Sequence, residues 1–460
     1  MLVNLRIENF KSFDHPADFS MISSSKIRNL PDHKVNIKQT NILKHAIIFG
    51  ANASGKSNFV SFFIFFKECL ASGLQLKYAN SFCKNRIDNK KKESCFEIQF
   101  SIQNNFYVYG FKAVLSEMKI TEEYLYLLYQ NGSSDCIFER SSENVIELGS
   151  KIKLSGAEKR NFETYIYDFK AGSPNLLFIS EMNRNKRYEP DSKLLVFQSV
   201  FRWLMDNIVI ITPQTTLSNT SSYYDDNSLN EISKLIQTFD TGISQVEIRE
   251  ITIDELRKEL SEEEFRQLYR QMEIAESEHP VVGKRFTTVR TDKSIYSLEI
   301  TDNEARILDL KIKMLTFKHG DSPFDFLFED ESDGTRRLLD LLDILLNKYD
   351  DTLYIVDELD RSMHPKLTYH FLELFSRYHK NDQVQLIATT HESTVMDQNL
   401  FRRDEIWFTE RTIENSSIMY SLDRFEDRKD RVLAKAYLEG RYGALPILTQ
   451  FSDDDSEEDK

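Results

Sequence analysis

The strongest chemical signal in the sequence is a glycine-rich octapeptide at residues 50–57. It has the sequence GANASGKS and matches the P-loop pattern G-x-x-x-x-G-K-[ST]. Glycines let such a loop wrap closely, so its amides point inward and bind phosphate oxygens at a helix N-terminus. The motif predicts a site for nucleotide phosphates. The residues predicted to bind the nucleotide are Gly50, Asn52, Ala53, Ser54, Gly55, Lys56, Ser57 and Asn58.

A short apolar run that ends in two carboxylates predicts the second half of this site. Residues 353–356 (LYIV) are followed directly by Asp357 and Glu358. We expect Lys56 to bridge the β- and γ-phosphates, and Ser57 and Asp357 to hold Mg²⁺, with Asp357 acting through the water shell of the ion. Glu358 would polarise the attacking water as a general base. The two motifs together predict ATP and Mg²⁺ as cofactors and an ATPase that releases ADP and phosphate.

The spacing of the motifs indicates a split domain. Lys56 and Asp357 lie 301 residues apart, far more than a compact P-loop domain needs. This layout resembles the ABC-type ATPase heads of the SMC and RecF kind, and residues 7–13 (IENFKSF) are similar to the opening strand of those heads. The resemblance implies an α/β fold, namely a split P-loop ABC-type ATPase head with an inserted, largely helical subdomain.

A serine and a glycine before the apolar helix at residues 338–346 extend the resemblance. Residues 331–337 (ESDGTRR) resemble the ABC signature, which contacts the ATP bound by the other subunit of a dimer. The resemblance implies that Ser332 and Gly334 bind nucleotide in this way, and a helix N-terminus suits a γ-phosphate. A simple serine N-cap with an acidic first turn explains the same residues equally well.

Two further segments follow the acidic pair. Residues 359–365 (LDRSMHP) stand where ABC proteins carry a dimer-interface loop, and residues 389–393 (TTHES) stand where they carry a switch histidine. The resemblance implies that His391 contacts the γ-phosphate and reports on hydrolysis. An isolated histidine is otherwise typical of a hydrogen-bonded core residue. The predicted catalytic residues are therefore Lys56, Glu358 and His391.

The C-terminal part carries a more specific resemblance. Residues 401–408 (FRRDEIWF) and 437–446 (YLEGRYGALP) are similar to the end of the RloA/AbiLi group of bacterial phage-defence ATPases. The AriA ATPase of the PARIS system is a more distant likeness. The resemblance implies an abortive-infection role with a separately encoded effector, such as a nuclease. Because only 69 residues follow His391, we expect no appended nuclease domain.

Pattern changes along the chain predict its organisation. We expect an N-terminal lobe of the head at residues 1–150, an inserted α-helical or mixed subdomain at 151–320, a C-terminal lobe at 321–450 and a disordered acidic tail at 451–460. Within these, residues 2–10 alternate as in an edge strand, and residues 45–49 (HAIIF) form a buried parallel strand. Residues 253–278 are predicted to be a charged helix with a capping box at Ser261 and Glu264.

The amino-acid composition and net charge of the chain limit its possible contacts with DNA and membranes. The chain has 59 Lys and Arg against 74 Asp and Glu, a net charge of −15, which disfavours indiscriminate coating of DNA. A local basic groove stays compatible with that balance. No signal-peptide core is present, and the apolar run at residues 59–70 is too short to span a bilayer, so we expect a cytoplasmic protein without membrane contact. The candidate DNA contacts are Lys84, Arg86, Lys90, Lys91, Lys92, Arg184, Lys186 and Arg187.

Three functional hypotheses are compatible with these residues. The first is an ATP-driven switch in which two heads, in a homodimer or higher homo-oligomer, sandwich two ATP molecules and control a partner. The second is a RecF-like DNA-binding repair or recombination ATPase, which predicts salt-sensitive DNA affinity. The third is a scaffold with a vestigial site, which the presence of Lys56, Asp357 and Glu358 disfavours.

Overall fold

The computed structural model describes residues 1–213, 226–263, 265–266, 283–290, 294–302, 308–346, 350–426 and 432–446. The predicted acidic tail lies outside these residues. The chain forms two compact units. The first comprises Met1–Ile211, Tyr349–Leu359 and Lys380–Lys460, and the second comprises Thr212–Lys348 and Asp360–His379. Both ends of the chain thus contribute to the first unit, as the split-head prediction requires.

The described part of the chain has the following strands and helices. The strands are β1 (Leu2–Glu8), β2 (Ala17–Ser20), β3 (Lys34–Ile37), β4 (Thr40–Leu43), β5 (His45–Phe49), β6 (Ser94–Ile102), β7 (Asn105–Val114), β8 (Lys119–Leu128), β9 (Ser134–Arg140), β10 (Ile146–Leu148), β11 (Ile208–Ile211), β12 (Ile243–Ile251), β13 (Gly283–Arg290), β14 (Ile295–Asp302), β15 (Leu308–His319), β16 (Leu353–Val356), β17 (Gln385–Thr389), β18 (Ile406–Arg411) and β19 (Ser417–Ser421). The helices are α1 (Lys56–Ser72), α2 (Gly156–Ala171), α3 (Phe178–Glu181), α4 (Leu195–Asp206), α5 (Asp226–Gln237), α6 (Ile253–Glu259), α7 (Asp333–Leu346), α8 (Pro365–Tyr378) and α9 (Leu433–Leu438).

A six-stranded sheet in the order β11-β16-β17-β5-β18-β19 forms the centre of the first unit. Its first five strands are parallel, and β19 pairs with β18 in the antiparallel direction. All five residues of β5 and all four of β16 are buried, as expected for strands covered on both faces. The buried strand predicted at residues 45–49 is therefore confirmed, and the apolar run at residues 353–356 is a buried strand as well.

A seven-stranded antiparallel sheet in the order β10-β9-β8-β7-β6-β1-β2 forms the second layer of this unit. Strand β1 lies between β2 and β6, so the prediction of an edge strand at residues 2–10 was wrong. Leu5, for example, is opposite Phe19 on one side and Ile98 on the other. Alternating side chains report which face of a strand is buried, and they carry no information about how many neighbours it has.

Helix α1 fastens the P-loop region to this second sheet. The ring of Phe65 lies 4.7 Å from that of Phe96 on β6 and 5.0 Å from that of Phe10, measured between centroids. Burial of each such side chain stabilises the fold by about 1.5–3 kcal/mol. The start of α1, where the phosphate-binding loop ends, is consequently held in place. The phenylalanines of α1 buried in this core are Phe59, Phe62, Phe63, Phe65 and Phe66.

The boundary of the insert differs from the expected one. Residues 151–211 belong to the first unit, because α2, α3 and α4 pack into its aromatic core and β11 pairs with β16. The ring of Phe197 on α4, for instance, lies 5.2 Å from that of Phe138 on β9. The second unit therefore begins at Thr212. It also contains α7, which we had expected in the C-terminal lobe at residues 321–450.

The second unit is mixed rather than largely helical. It contains an antiparallel sheet in the order β12-β15-β14-β13 in addition to α5, α6, α7 and α8. Helix α6 ends at Glu259 and has its capping box at Thr252 and Glu255, whereas the predicted capping residue Glu264 lies outside the described residues. In the described part of the chain, no helix has the length and apolar content needed to cross a bilayer.

Candidate nucleotide-binding site

The P-loop connects the central strand β5 to α1. Its backbone has left-handed φ angles at Ala53 (61°) and Gly55 (118°), which turn the loop around its own amides. A Cβ atom on Gly50 would lie 2.4 Å from the carbonyl oxygen of Thr409, and one on Gly55 would lie 2.5 Å from the Ser417 Oγ. Both glycines are therefore required where β18 and β19 approach the loop.

Lys56 holds its ammonium group inside the curve of the loop. Its Nζ donates hydrogen bonds to the carbonyl oxygens of Gly50 (2.6 Å) and Ala51 (3.1 Å), and the residue is only 5 % exposed. A buried positive charge is costly unless it is compensated. Its position at the first turn of α1 makes it a ready partner for phosphate oxygens.

The acidic pair lies at the carboxyl end of β16, on the same edge of the sheet. The Asp357 Oδ1 is 3.5 Å from the Ser57 Oγ, although these residues are 300 positions apart. The hydroxyl of Thr389, at the end of β17, donates to Asp357 Oδ1 (2.6 Å) and accepts from the backbone amide of Glu358 (2.8 Å). A single threonine therefore positions both carboxyl-bearing residues.

Glu358 and His391 line one cleft together with the P-loop. The cleft has a volume of about 780 Å³. Glu358 has a left-handed φ of 50°, a conformation that costs about 1 kcal/mol for a residue with a Cβ atom. His391 follows β17, is exposed, and comes just after Thr390, whose amide donates to the carbonyl oxygen of Ile48 on β5. The structure thus brings the three predicted catalytic residues to one opening.

The cleft also contains residues that the sequence analysis missed. Lys11 and Ser12 lie in the turn between β1 and β2, which we had interpreted only as part of an opening strand. The Ser12 Oγ accepts a hydrogen bond from the Asn58 Nδ2 at 2.8 Å, and burial lowers the pKa of Lys11. The feature of the sequence that could have indicated Lys11 and Ser12 is that this polar pair interrupts the segment IENFKSF. The additional lining residues are Lys11, Ser12, Asn80, Ser81, Phe82, Lys84, Asn85, Arg411 and Asn415.

Ser332 and Gly334 lie in the second unit, whereas the P-loop lies in the first. The Ser332 Oγ accepts from the backbone amide of Thr335 (3.1 Å), so it caps α7. A Cβ atom on Gly334 would lie 2.5 Å from the carbonyl oxygen of Ser362, so this glycine is required for close packing. Within a single chain, Ser332 therefore acts as the N-cap of α7, as the serine N-cap interpretation predicts.

The basic residues proposed as DNA contacts have mixed surroundings. Arg86 forms ion pairs with Asp14 (3.2 Å) and Glu414 (3.1 Å). Lys186 is 2.9 Å from a carboxylate oxygen of Glu181. Lys90, Lys91 and Lys92 are exposed on their loop. These carboxylates reduce the positive field that a nucleic acid would meet at Arg86 and Lys186.

The residues of the cleft fit a nucleoside triphosphate with Mg²⁺. The loop amides and Lys56 suit phosphate oxygens, and the hydroxyl of Ser57 beside the carboxylate of Asp357 offers the hard oxygen ligands that Mg²⁺ prefers. The lining cations Lys11, Lys84 and Arg411 add positive charge at the opening. The site thus combines a loop that could bind phosphate, an oxygen pair that could hold Mg²⁺ and a carboxylate that lines the same cleft.

A P-loop after the central strand, with an acidic pair at the end of a second parallel strand, defines a split P-loop nucleotide-binding domain. Residues 46–397 match the family described as "AAA domain, putative AbiEii toxin, Type IV TA system". This match spans more than half of the chain, and the chain belongs to that family.

Several solved SMC head domains are similar over nearly their whole length. An SMC head bound to the C-terminal winged-helix domain of ScpA is 16 % identical, with 91 % of this chain and 97 % of that chain covered and a TM-score of 0.37. The SMC head domain from Thermotoga maritima is 12 % identical, with coverages of 91 % and 98 % and a TM-score of 0.33. The head with an extended coiled coil from Pyrococcus furiosus, bound to the C-terminal domain of ScpA, is 14 % identical, with coverages of 96 % and 99 % and a TM-score of 0.38. The comparison with curated proteins found no match.

Proposed function

We propose that the protein binds and hydrolyses ATP with Mg²⁺ and uses this cycle as a switch. The observation that carries the proposal is the approach of Ser57 to Asp357, at 3.5 Å, beside Lys56 and Glu358. P-loop NTPases use a serine or threonine hydroxyl and an acidic residue at a strand end for their metal. Ser57 and Asp357, which are 300 positions apart in the sequence, would supply that pair here.

The roles of the residues follow from their positions. Lys56 and the amides of the loop would bind the β- and γ-phosphates, and Ser57 and Asp357 would hold Mg²⁺, which when bound neutralises phosphate charge. Glu358 would accept a proton from the attacking water. Its backbone amide and the Asp357 carboxylate share the Thr389 hydroxyl, which holds the Asp357 carboxylate and the backbone of Glu358 in place.

A Lys56→Ala variant tests nucleotide binding most simply. We expect loss of the positive charge to abolish measurable ATP hydrolysis and to weaken ATP binding, while the folded structure persists. Phosphate release and fluorescent-nucleotide binding would be measured beside Lys170→Ala, which removes an exposed lysine of α2. Unchanged hydrolysis in Lys56→Ala would refute an ATPase at this site.

We propose further that two heads sandwich ATP in a homodimer or higher homo-oligomer. Ser332 is exposed, and the first amides of α7 are available to a phosphate in addition to the one that Ser332 caps. His391 would contact the γ-phosphate from the first unit and report its loss. Light scattering with and without ATP would test this arrangement, and a particle that stays monomeric with saturating ATP would contradict it.

We propose a bacterial anti-phage role of the abortive-infection type, with the switch acting in the cytoplasm on a separately encoded effector such as a nuclease. One support is that the description of the matching family includes a putative AbiEii toxin. The other is the similarity of residues 401–408 and 437–446 to the RloA/AbiLi group, and more distantly to AriA of PARIS. Phage plating on cells with the gene and its neighbour tests this role. Protection should require both genes and disappear with Lys56→Ala.

A RecF-like DNA-binding repair ATPase is the alternative function, and the exposed Lys90–Lys92 loop is the feature that favours it. It predicts DNA affinity that falls steeply with salt. Charge reversal at Lys90, Lys91 and Lys92 should then reduce the salt slope. If the wild-type chain has no measurable DNA affinity at low salt, this alternative is excluded.

A further inference from the structure

A buried cluster of two imidazoles and one carboxylate lies at the opposite end of the parallel strands from the P-loop. His33 ends a short turn at Pro31–His33, His45 begins β5, and Glu405 directly precedes β18. The side chains of His33, His45 and Glu405 are 8 %, 1 % and 0 % exposed. Three separate segments thus bring two imidazoles and one carboxylate to one buried position.

Two of the distances within the cluster are close to the spacing of ligand atoms around a metal ion. The His33 Nδ1 is 3.0 Å from Glu405 Oε2, and the His45 Nδ1 is 3.3 Å from Glu405 Oε1. One ligand atom from each residue lies within 4.8 Å of the other two. Nitrogen and oxygen ligands of tetrahedral zinc, at about 2.0–2.2 Å from the ion, are separated by roughly 3.3 Å. Small side-chain movements would therefore suffice to admit an ion.

The surroundings hold the three groups in position. Glu405 Oε2 accepts from the backbone amide of Arg402 at 2.8 Å. The backbone of His33 is fixed at both ends, because its amide donates to Leu30 and its carbonyl oxygen accepts from Lys44. Leu30 has a left-handed φ of 48° before the turn. Hydrogen-bonded outer groups of this kind orient the ligands of metal sites.

The motif at residues 401–408 supplies much of this support. The buried guanidinium of Arg402 binds Asp404 at 2.8 and 2.9 Å, and it also donates to the carbonyl oxygens of Ile27 and Asn29. It therefore attaches the segment before His33 to the turn that carries Glu405. The proposed role of the protein as an ATPase uses none of these residues.

We propose that His33, His45 and Glu405 form a binding site for one divalent transition metal ion, with Zn²⁺ as the ion that the two nitrogens and one oxygen favour. Each imidazole binds through Nδ1 with its ring proton on Nε2. The ion ties together the starts of β5 and β18, which are neighbours in the sheet. Strand β5 leads into Gly50, and Thr409 of β18 contacts Ser54 at 2.7 Å, so the ion stabilises the strands that support the P-loop.

The same three groups could instead be held by two N–H···O hydrogen bonds without an ion, and direct metal analysis separates the two cases. The full chain, free of any affinity tag, would be analysed by mass spectrometry of its metal content. It would then be stripped with a chelator and titrated with Zn²⁺ alone. We expect about one Zn²⁺ per chain and a melting temperature that rises by several degrees when Zn²⁺ is restored.

Two variants make the test specific. Glu405→Gln should lose the bound metal and the Zn²⁺-dependent rise in melting temperature. His319→Gln, which removes a partly exposed histidine 2.7 Å from Glu331 in the second unit, should retain both. A folded wild-type chain that carries no metal and does not respond to Zn²⁺ would overturn the proposal, even if Glu405→Gln fails to fold. Metal retained by a folded Glu405→Gln chain would overturn it as well.

Discussion

The P-loop cleft and the segment around Ser332 contain two glycines with the same packing constraint and different surroundings. A Cβ atom on Gly50 would meet Thr409 at 2.4 Å, and one on Gly334 would meet Ser362 at 2.5 Å. Around Gly50, however, Lys56 is a buried cation and Glu358 has a left-handed backbone. Around Gly334, a serine N-cap accounts for the local geometry.

This difference distinguishes a candidate ligand-binding site, the P-loop cleft, from a structural motif, the Ser332 segment. A left-handed carboxyl-bearing residue and a buried ammonium cost free energy, and here both line the cleft in which we propose that the nucleotide binds. The Ser332 segment stabilises its own helix and would be stable without any nucleotide. We propose that this segment contacts the ATP of a second copy of the chain, so the two regions should respond differently to mutation.

Gly50→Ala should have the largest effect in the cleft. The new Cβ atom would collide with backbone and side-chain oxygens of Thr409, so the loop would have to open. We expect ATP affinity to fall roughly 100-fold, which corresponds to about 2.7 kcal/mol. Calorimetric titration with ATP would measure this change.

The matched control is Gly156→Ala at the start of α2, where a new Cβ atom meets no atom within 4 Å. It should bind ATP like the wild type. If Gly50→Ala also binds ATP normally, the close approach of β18 is not a requirement of the loop, and the contrast between the two regions is lost.

Thr389→Val should have the next largest effect, because it removes the hydroxyl that positions Asp357 and Glu358. When a buried carboxylate such as that of Asp357 loses a hydrogen-bond donor, the free energy of unfolding falls by about 1–3 kcal/mol. We expect hydrolysis to fall about 10- to 100-fold through misplaced carboxylates. Thermal unfolding and steady-state phosphate release would be measured on the same preparation.

Thr121→Val on β8 serves as the comparison for that substitution. Among the described residues, the Thr121 hydroxyl is a buried group that has no hydrogen-bond partner. Its replacement should therefore leave both stability and hydrolysis unchanged or raise stability slightly. Equal behaviour of the two variants would mean that Thr389 does not position the acidic pair.

Ser332→Asp should have the smallest effect on stability and separates the two interpretations of the signature segment. Aspartate caps a helix about as well as serine, so the melting temperature should stay near that of the wild type, whereas Ser332→Ala should lose about 1 kcal/mol. If Ser332 contacts the phosphates of a partner-bound ATP, the added negative charge should reduce hydrolysis about tenfold. Full activity in Ser332→Asp would leave the N-cap as the sole role of this serine.

The sequence was sufficient for the elements that carry strong local patterns. The buried strand at residues 45–49, the P-loop and the strand before Asp357 were all predictable, because an apolar run and a glycine-rich turn have few alternative structures. The neighbours of β1 were not predictable, because its alternation specifies a buried face and leaves its pairing open.

Long-range pairing explains the remaining differences. Residues 208–211 join the central sheet only because they lie beside β16, about 145 positions later, so the boundary of the insert could not be located from composition. Lys11 and Lys84 reach the cleft through turns whose path depends on the packed sheet. The cluster of His33, His45 and Glu405 has no spacing motif, since its third residue lies 360 positions after the second.

We propose above all that Glu358 activates the attacking water and that ATP binding at the site does not require the Glu358 carboxylate. Single-turnover hydrolysis by Glu358→Gln, measured together with ATP affinity, tests this most directly. Glutamine keeps the size of the side chain but cannot accept a proton as a carboxylate does. We predict ATP affinity within a few-fold of the wild type and hydrolysis reduced by about 10²- to 10⁴-fold. Undiminished hydrolysis, or a folded variant that no longer binds ATP, would contradict the account.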